Sequence, residues 1–301
     1  MKFKTTALLT AGLMALPLFA ANDRSYTYLA LGDSIPFGMD ITKLPPYASQ
    51  LPKPADFVGY PEIIAQTQHV TLLNPSCPGE SSGSFLNVNS PDYGCNFPHP
   101  QPDGSTVSPF KALNLLRVNY SGSQMDFALD QVKHNKNINL VTLNIGANDV
   151  FLVLPALLQC DTDQTCAGNV LGPVLNKYAS NLTDILTGIR KHYQGQLVVM
   201  TYYSPAPELD GVAVAVNNTM TAVVNQLNAQ KHFADVLLAD GFTPFQVLSA
   251  GANHDACQAG LLIRLPTYPP SPQPCDIHPS EYGRDVLAAT VAFALLTNST
   301  N

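Results

Sequence analysis

The sequence predicts an α/β protein with a parallel sheet covered by helices on both faces. Strand-like and helix-like segments alternate about five times along the chain. The strand-like segments are continuous apolar runs, not alternating ones, as expected of strands buried on both faces. The 301 residues are 46% hydrophobic and only 12% charged, which excludes disorder and leaves enough apolar material for a full core. No linker or internal repeat divides residues 21–301, and α/β chains of about 250 residues often form one domain. A single domain is expected.

The elements follow in order. Residues 26–32 (YTYLALG) are β-rich and stop at Gly-Asp-Ser. Residues 59–68 carry a proline near their start and read as a short helix. Residues 69–73 (HVTLL) read as a strand ending at Asn74-Pro75. Residues 74–122 are rich in Pro, Gly, Ser and Asn and read as irregular, with a candidate helix near 109–117. Residues 123–134 form an amphipathic helix with Met125, Leu129 and Val132 on one face. A strand at 139–145 breaks at Gly146, and helices are expected at 148–158 and 169–193, the second starting around Gly172-Pro173. A strand at 196–203, a helix at 212–232 and a short strand at 234–239 come next. Residues 241–279 read as irregular. Ser280 opens a C-terminal helix over 280–296.

Residues 1–20 place Lys2 and Lys4 before an apolar run ending in small residues. That is the pattern of a secretory signal peptide cleaved near Ala20-Ala21. The run is short for a membrane span of ~20 residues, and no later segment qualifies, so no stable membrane anchor is expected. Cleavage takes two of the 15 basic residues and none of the 22 acids, moving the formal charge from −7 to −9. No Lys/Arg cluster is present, which argues against nucleic-acid binding. Six cysteines behind an export signal imply disulfides. They fall as three local pairs, Cys77/Cys95, Cys160/Cys166 and Cys257/Cys275. None has the C-x₂-C spacing of a zinc site, and no metal is expected.

In open parallel sheets ligands bind at the carboxyl ends of strands, and three strand ends carry distinctive residues. Gly32-Asp33-Ser34 follows the first strand. A serine there exposes its hydroxyl beside backbone N–H groups, although helix capping is the ordinary use of such a residue. Asn74-Pro75-Ser76-Cys77-Pro78-Gly79-Glu80-Ser81 follows the second, where Gly79 lets backbone approach a ligand closely. Gly146-Ala147-Asn148-Asp149 follows the third, where the Asn148 amide either donates into the crevice or caps a helix. Finally, His278-Pro279 precedes the last helix, and histidine is the usual base for a serine nucleophile.

Taken in this order, these blocks resemble those of the SGNH (GDSL-type) hydrolases, over essentially all of residues 21–301. With the three cysteine pairs and the NPSCPGES block, the chain is most similar to the secreted esterases related to suberin esterase. The resemblance implies a flavodoxin-like three-layer α/β/α sandwich with a central, mostly parallel five-stranded sheet. It implies an esterase or lipase with no cofactor, Ser34 as nucleophile and His278 as base. Ser34 N–H, Gly79 N–H and the Asn148 amide are implied as the oxyanion hole. Phospholipase and acyltransferase activities would use the same site. A non-catalytic binding module would be expected to lose Ser34, Asn148 or His278, and all three are present.

The chain departs from the family pattern at one point. An aspartate usually stands three residues before the histidine, and Cys275 occupies that position. Asp276 is offset by one residue, so its side chain is expected to point elsewhere. The expected arrangement is therefore a Ser34–His278 dyad completed by a main-chain carbonyl near Cys275. Asp33 adjoins Ser34 and reads as a turn-stabilising carboxylate.

Overall fold

The computed structural model describes residues 26–100, 106–266 and 274–298. The expected signal peptide, 1–20, lies outside the described residues. Five strands, β1 (Thr27–Gly32), β2 (Thr71–Leu73), β3 (Ile138–Asn144), β4 (Gln196–Met200) and β5 (Val236–Ala239), form one sheet in the order β2-β1-β3-β4-β5. Every neighbouring pair is parallel. All six residues of β1 are buried, as its unbroken apolar run requires. The Tyr28 hydroxyl meets Thr142 Oγ1 at 2.7 Å.

The strand order decides the layers. From β1 the chain steps outward to β2, then returns across β1 to β3, β4 and β5. Right-handed crossovers put helices on opposite faces when the direction of travel reverses. Accordingly α4 (Gln124–His134), α7 (Gln164–Arg190) and α8 (Asp210–Asn228) pack side by side, while α2 (Tyr60–Gln68) packs with α10 (Glu281–Asn298). The same reversal opens a crevice at the carboxyl ends of β1 and β3, where the short helices α1 (Ser34–Phe37), α3 (Ser82–Leu86), α5 (Ala147–Phe151) and α6 (Leu154–Leu158) gather.

Several expected boundaries move. The single helix expected over 148–158 is two, because Pro155, in the first turn of α6, has no N–H to continue the ladder from α5. The α7 helix starts at residue 164, not 169. Asp163 caps it, accepting from Thr165 N and Cys166 N, and the helix continues through Pro173. The candidate helix at 109–117 is only a run of turns, whereas α3 forms unannounced in the same stretch. Residues 241–279 hold α9 (Phe242–Ser249) and an antiparallel hairpin of β6 (Leu262–Arg264) with β7 (Cys275–Pro279).

The three expected disulfides are present: Cys77–Cys95, Cys160–Cys166 and Cys257–Cys275. The first sits in a second, smaller core with Phe37, Phe57, Phe110, Leu115 and Leu116. The third closes the hairpin that carries His278.

Candidate active site

Ser34 stands at the point where β1 gives way to α1. Gly32, at φ +133°, has no room for a side chain, since a Cβ would lie 2.0 Å from the Asn144 carbonyl oxygen. The chain therefore turns sharply before Ser34. Asp33 caps α1, its Oδ1 accepting from Ile35 N at 3.0 Å. The capping role belongs to Asp33, and Ser34 is left half-buried with its hydroxyl on the wall of a cavity. Asp33 is buried, and Oδ2 accepts from the Tyr202 hydroxyl. Burial pushes its carboxyl up to about 6, against the Tyr202 and Ile35 hydrogen bonds. It serves the turn, as expected.

The second strand end reaches the same place by a different bond. Cys77 N–H donates to the Gly32 carbonyl at 3.0 Å, bringing the NPSCPGES segment against the serine turn. Gly79 has φ +83°, and a Cβ there would meet the Tyr93 carbonyl oxygen at 2.3 Å. The Gly79 and Ser34 N–H groups have no protein acceptor among the described residues. Asn148, buried on α5, donates one amide hydrogen to the Glu80 carbonyl at 2.9 Å. That bond fixes the Asn148 amide beside the Glu80–Ser81 peptide, one residue past Gly79, and leaves its second hydrogen for a ligand. The capping use weighed for Asn148 is not made, because Gly146 occupies the cap position of α5.

The Glu80–Gln124 brace was not visible in the sequence. Gln124, the first residue of α4, accepts from Gly32 N at 2.6 Å and donates to Gly32 O at 3.0 Å and to Glu80 Oε2 at 2.9 Å. Glu80 also accepts from Ser84 Oγ at 3.0 Å. A buried carboxylate next to Gly79 is thus tied through one amide to the peptide before Asp33. Burial pushes Glu80 up to about 7, opposed by Lys111 and these hydrogen bonds. Cys77, Glu80 and Cys95 form the one candidate metal-ligand cluster among the described residues, but its sulfurs are bonded to each other and offer no thiolate.

His278 is buried on β7 and its Nδ1 meets Asp276 Oδ2 at 2.6 Å. This corrects the expectation that a main-chain carbonyl near Cys275 would hold the ring. Residues 275–279 are an extended strand, and in a strand residues i and i+2 share a face. The offset of one residue, measured against a turn-like loop, carries no penalty on a strand. Burial lowers the His278 pKa, but the Asp276 charge and hydrogen bond outweigh it, with smaller help from Asp33 and Asp40, and the net shift is upward. Asp276 moves down because the imidazolium outweighs its own burial. Tyr203 OH donates to the Ile277 carbonyl at 2.7 Å, anchoring the strand between the two residues. β7 packs on α1, so the paired imidazole lies beside the serine turn.

The GDSL-like lipase/acylhydrolase family model matches residues 30–286. No curated protein matches the sequence. Among solved structures, the chain is similar to an extracellular lipase from Streptomyces rimosus, with 18% identity, 89% of this chain and 99% of that one covered, and a TM-score of 0.50. It is also similar to phospholipase A1 from Streptomyces albidoflavus NA297, with 15% identity, coverage of 90% and 99%, and a TM-score of 0.49. A G-D-S-L lipolytic protein from Veillonella parvula DSM 2008 aligns at 14% identity, coverage of 89% and 97%, and a TM-score of 0.45. The family match runs from β1 into the last helix and takes in the three strand-end blocks and the His278-Pro279 block, and the chain belongs to the GDSL-like lipase/acylhydrolase family.

Proposed function

We propose that the protein is a secreted carboxylic-ester hydrolase of one catalytic domain behind a cleaved signal peptide, working through an acyl-Ser34 intermediate. The observation that carries this is the Asp276–His278 pair at 2.6 Å, buried beside the turn that carries the half-buried Ser34. His278 Nε2 takes the Ser34 proton as Oγ bonds to the ester carbonyl carbon. The carbonyl π electrons move to oxygen, which receives hydrogen bonds from Ser34 N–H, Gly79 N–H and the Asn148 amide. Collapse breaks the bond to the alcohol oxygen, which leaves with the proton from His278. Water then repeats the sequence, releasing the acid and restoring Ser34. Asp276 holds the proton on Nδ1, so that Nε2 faces the serine, and stabilises the imidazolium.

Three disulfides and the leader support secretion. The paired cysteines and the NPSCPGES block support kinship with suberin-esterase-type enzymes. The test is labelling with a fluorophosphonate followed by peptide mapping. Modification confined to Ser34, together with hydrolysis of a nitrophenyl ester, is expected. An unlabelled, folded protein would overturn the reading.

A further inference from the structure

We infer that the preferred substrates are esters of long unbranched acyl chains, about ten carbons and above, seated in an apolar channel that leads from Ser34 out between α6, α7 and α8. This rests on the reading of Ser34 as nucleophile. Two cavities make the channel. The inner one, about 710 Å³ including its opening to solvent, begins at Ser34 and Asn148 and is walled by Ile35, Val150, Phe151 and Val216. The outer one, about 1000 Å³ on the same measure, is walled by Leu157, Leu158 and Leu171. Leu154, Leu209 and Val212 line both, so the two cavities adjoin at these three side chains, which form the neck of the inferred channel.

The lining selects against polar ligands. Two tyrosine hydroxyls border the inner cavity, and both are committed: Tyr202 donates to Asp33 and Tyr203 to the Ile277 carbonyl. A sugar ring pushed into this space would lose its water without gaining partners. The charged groups of the outer cavity, Asp161 and Glu208, are exposed, and a chain terminus can pass them into solvent.

The dimensions fit a chain. Leu209, the cap residue of α8, and Val216 within it lie seven positions apart, roughly 10 Å at 1.5 Å per residue. With C–C bonds advancing about 1.3 Å each along an extended chain, the inner cavity takes about eight carbons. Longer chains must enter the neck. Beyond it, the rim of the outer cavity carries Gly168 of α7 and Gly211 of α8, both exposed. A Cβ at either would meet nothing within 4 Å. Gly168 lies inside a 27-residue helix, where glycine is unfavourable, and no packing demand accounts for it.

The acyl side is assigned by the leaving group. The departing oxygen must face His278 to receive its proton. Ile277 lines the cavity but His278 does not, so the channel takes the other substituent of the carbonyl carbon.

The experiment measures kcat/KM for nitrophenyl butanoate, octanoate, dodecanoate and hexadecanoate, with active sites counted by fluorophosphonate. Expected is a gain approaching fourfold per methylene, the equivalent of about 0.8 kcal/mol, from butanoate to octanoate, with dodecanoate at least as good. Val212→Trp at the neck and Gly168→Phe beyond it should lower the dodecanoate-to-butanoate ratio at least tenfold. Gly168→Phe meets no backbone obstacle, and active-site counting removes any loss through misfolding. A series of alkyl acetates should show no comparable gain. Labelling of Ser34 with best turnover on butanoate, or with ratios untouched by both variants, overturns the channel and leaves the hydrolase. A chain-length gain confined to the alcohol series overturns the acyl assignment. Absence of labelling sinks the hydrolase reading itself.

Discussion

Asp276→Asn tests the geometry most directly. The replaced oxygen lies 2.6 Å from His278 Nδ1, and both side chains are about 10% exposed. The substitution keeps shape and removes one negative charge from beside the imidazolium that forms in each transition state. At about 4 Å and an effective dielectric of 20, that charge is worth ~4 kcal/mol, which is roughly 10³ in rate. If the amide presents its NH₂ to Nδ1, the ring adopts the wrong tautomer, and the loss approaches the ~10⁴ seen for serine hydrolases with this change. The acid limb of kcat/KM carries a second signature. In the wild type the pair holds the His278 pKa above its ordinary value, and the enzyme gains activity as pH rises through that raised value. Without the carboxylate, burial dominates and the limb moves to lower pH. The assay is a pH series on a soluble nitrophenyl ester, normalised to fluorophosphonate-titrated sites. A loss under tenfold with an unmoved limb would refute the carboxylate as the partner and return that role to a main-chain acceptor.

Ser34→Ala should abolish hydrolysis while leaving thermal unfolding nearly unchanged, because the half-buried hydroxyl has no protein partner among the described residues. Asn148→Ala should lower kcat ~10²-fold with little change in KM, and normal kcat would remove it from the oxyanion hole. Replacing Cys257 and Cys275 with serine opens an 18-residue loop and should cost about 3 kcal/mol in urea unfolding. It should also lower kcat more than opening Cys160–Cys166 does. Glu80, raised to about 7 by burial, binds its proton more tightly folded than unfolded. Its stabilising contribution is complete below pH 4.5 and is lost as pH rises to 7, on the order of 3 kcal/mol. Glu80→Gln should flatten that fall in urea titrations at the two pH values; equal slopes would contradict it.

The parallel sheet was legible because strands buried on both faces leave unbroken apolar runs, as in 26–32 and 139–145. The candidate residues Ser34, Gly79, Asn148 and His278 stand out in the sequence because each block sits at a strand end or helix start. The Asp276 partnership is not legible in the sequence, because the extended path of 275–279 depends on pairing with Leu262–Arg264, a contact no local pattern announces. The Glu80–Gln124 brace joins residues 44 positions apart and looks locally like an ordinary turn glutamate and a helix-start glutamine. The sequence suggests a late start for α7 because Gly172-Pro173 reads as an opening, whereas the Asp163 cap starts the helix at residue 164, about a turn and a half before the expected residue 169.

The pairing of β1 with β3 also governs how the chain reaches this structure. Thr27 lies opposite Ile138, and the Tyr28–Thr142 bond spans 114 positions. Contacts this distant make folding slow, on the scale of milliseconds to seconds. Until they form, β1 is an apolar ribbon with an open edge, the kind of segment that recruits other chains. The Cys77–Cys95 bridge lies inside the intervening excursion but bypasses only 18 positions of it. Because closure entropy changes by only ~0.6 kcal/mol per doubling of loop length, that shortcut barely quickens the search. Recovery of active protein from the reduced, unfolded chain should therefore fall steeply with protein concentration, as aggregation through unpaired β1 outruns the arrival of β3.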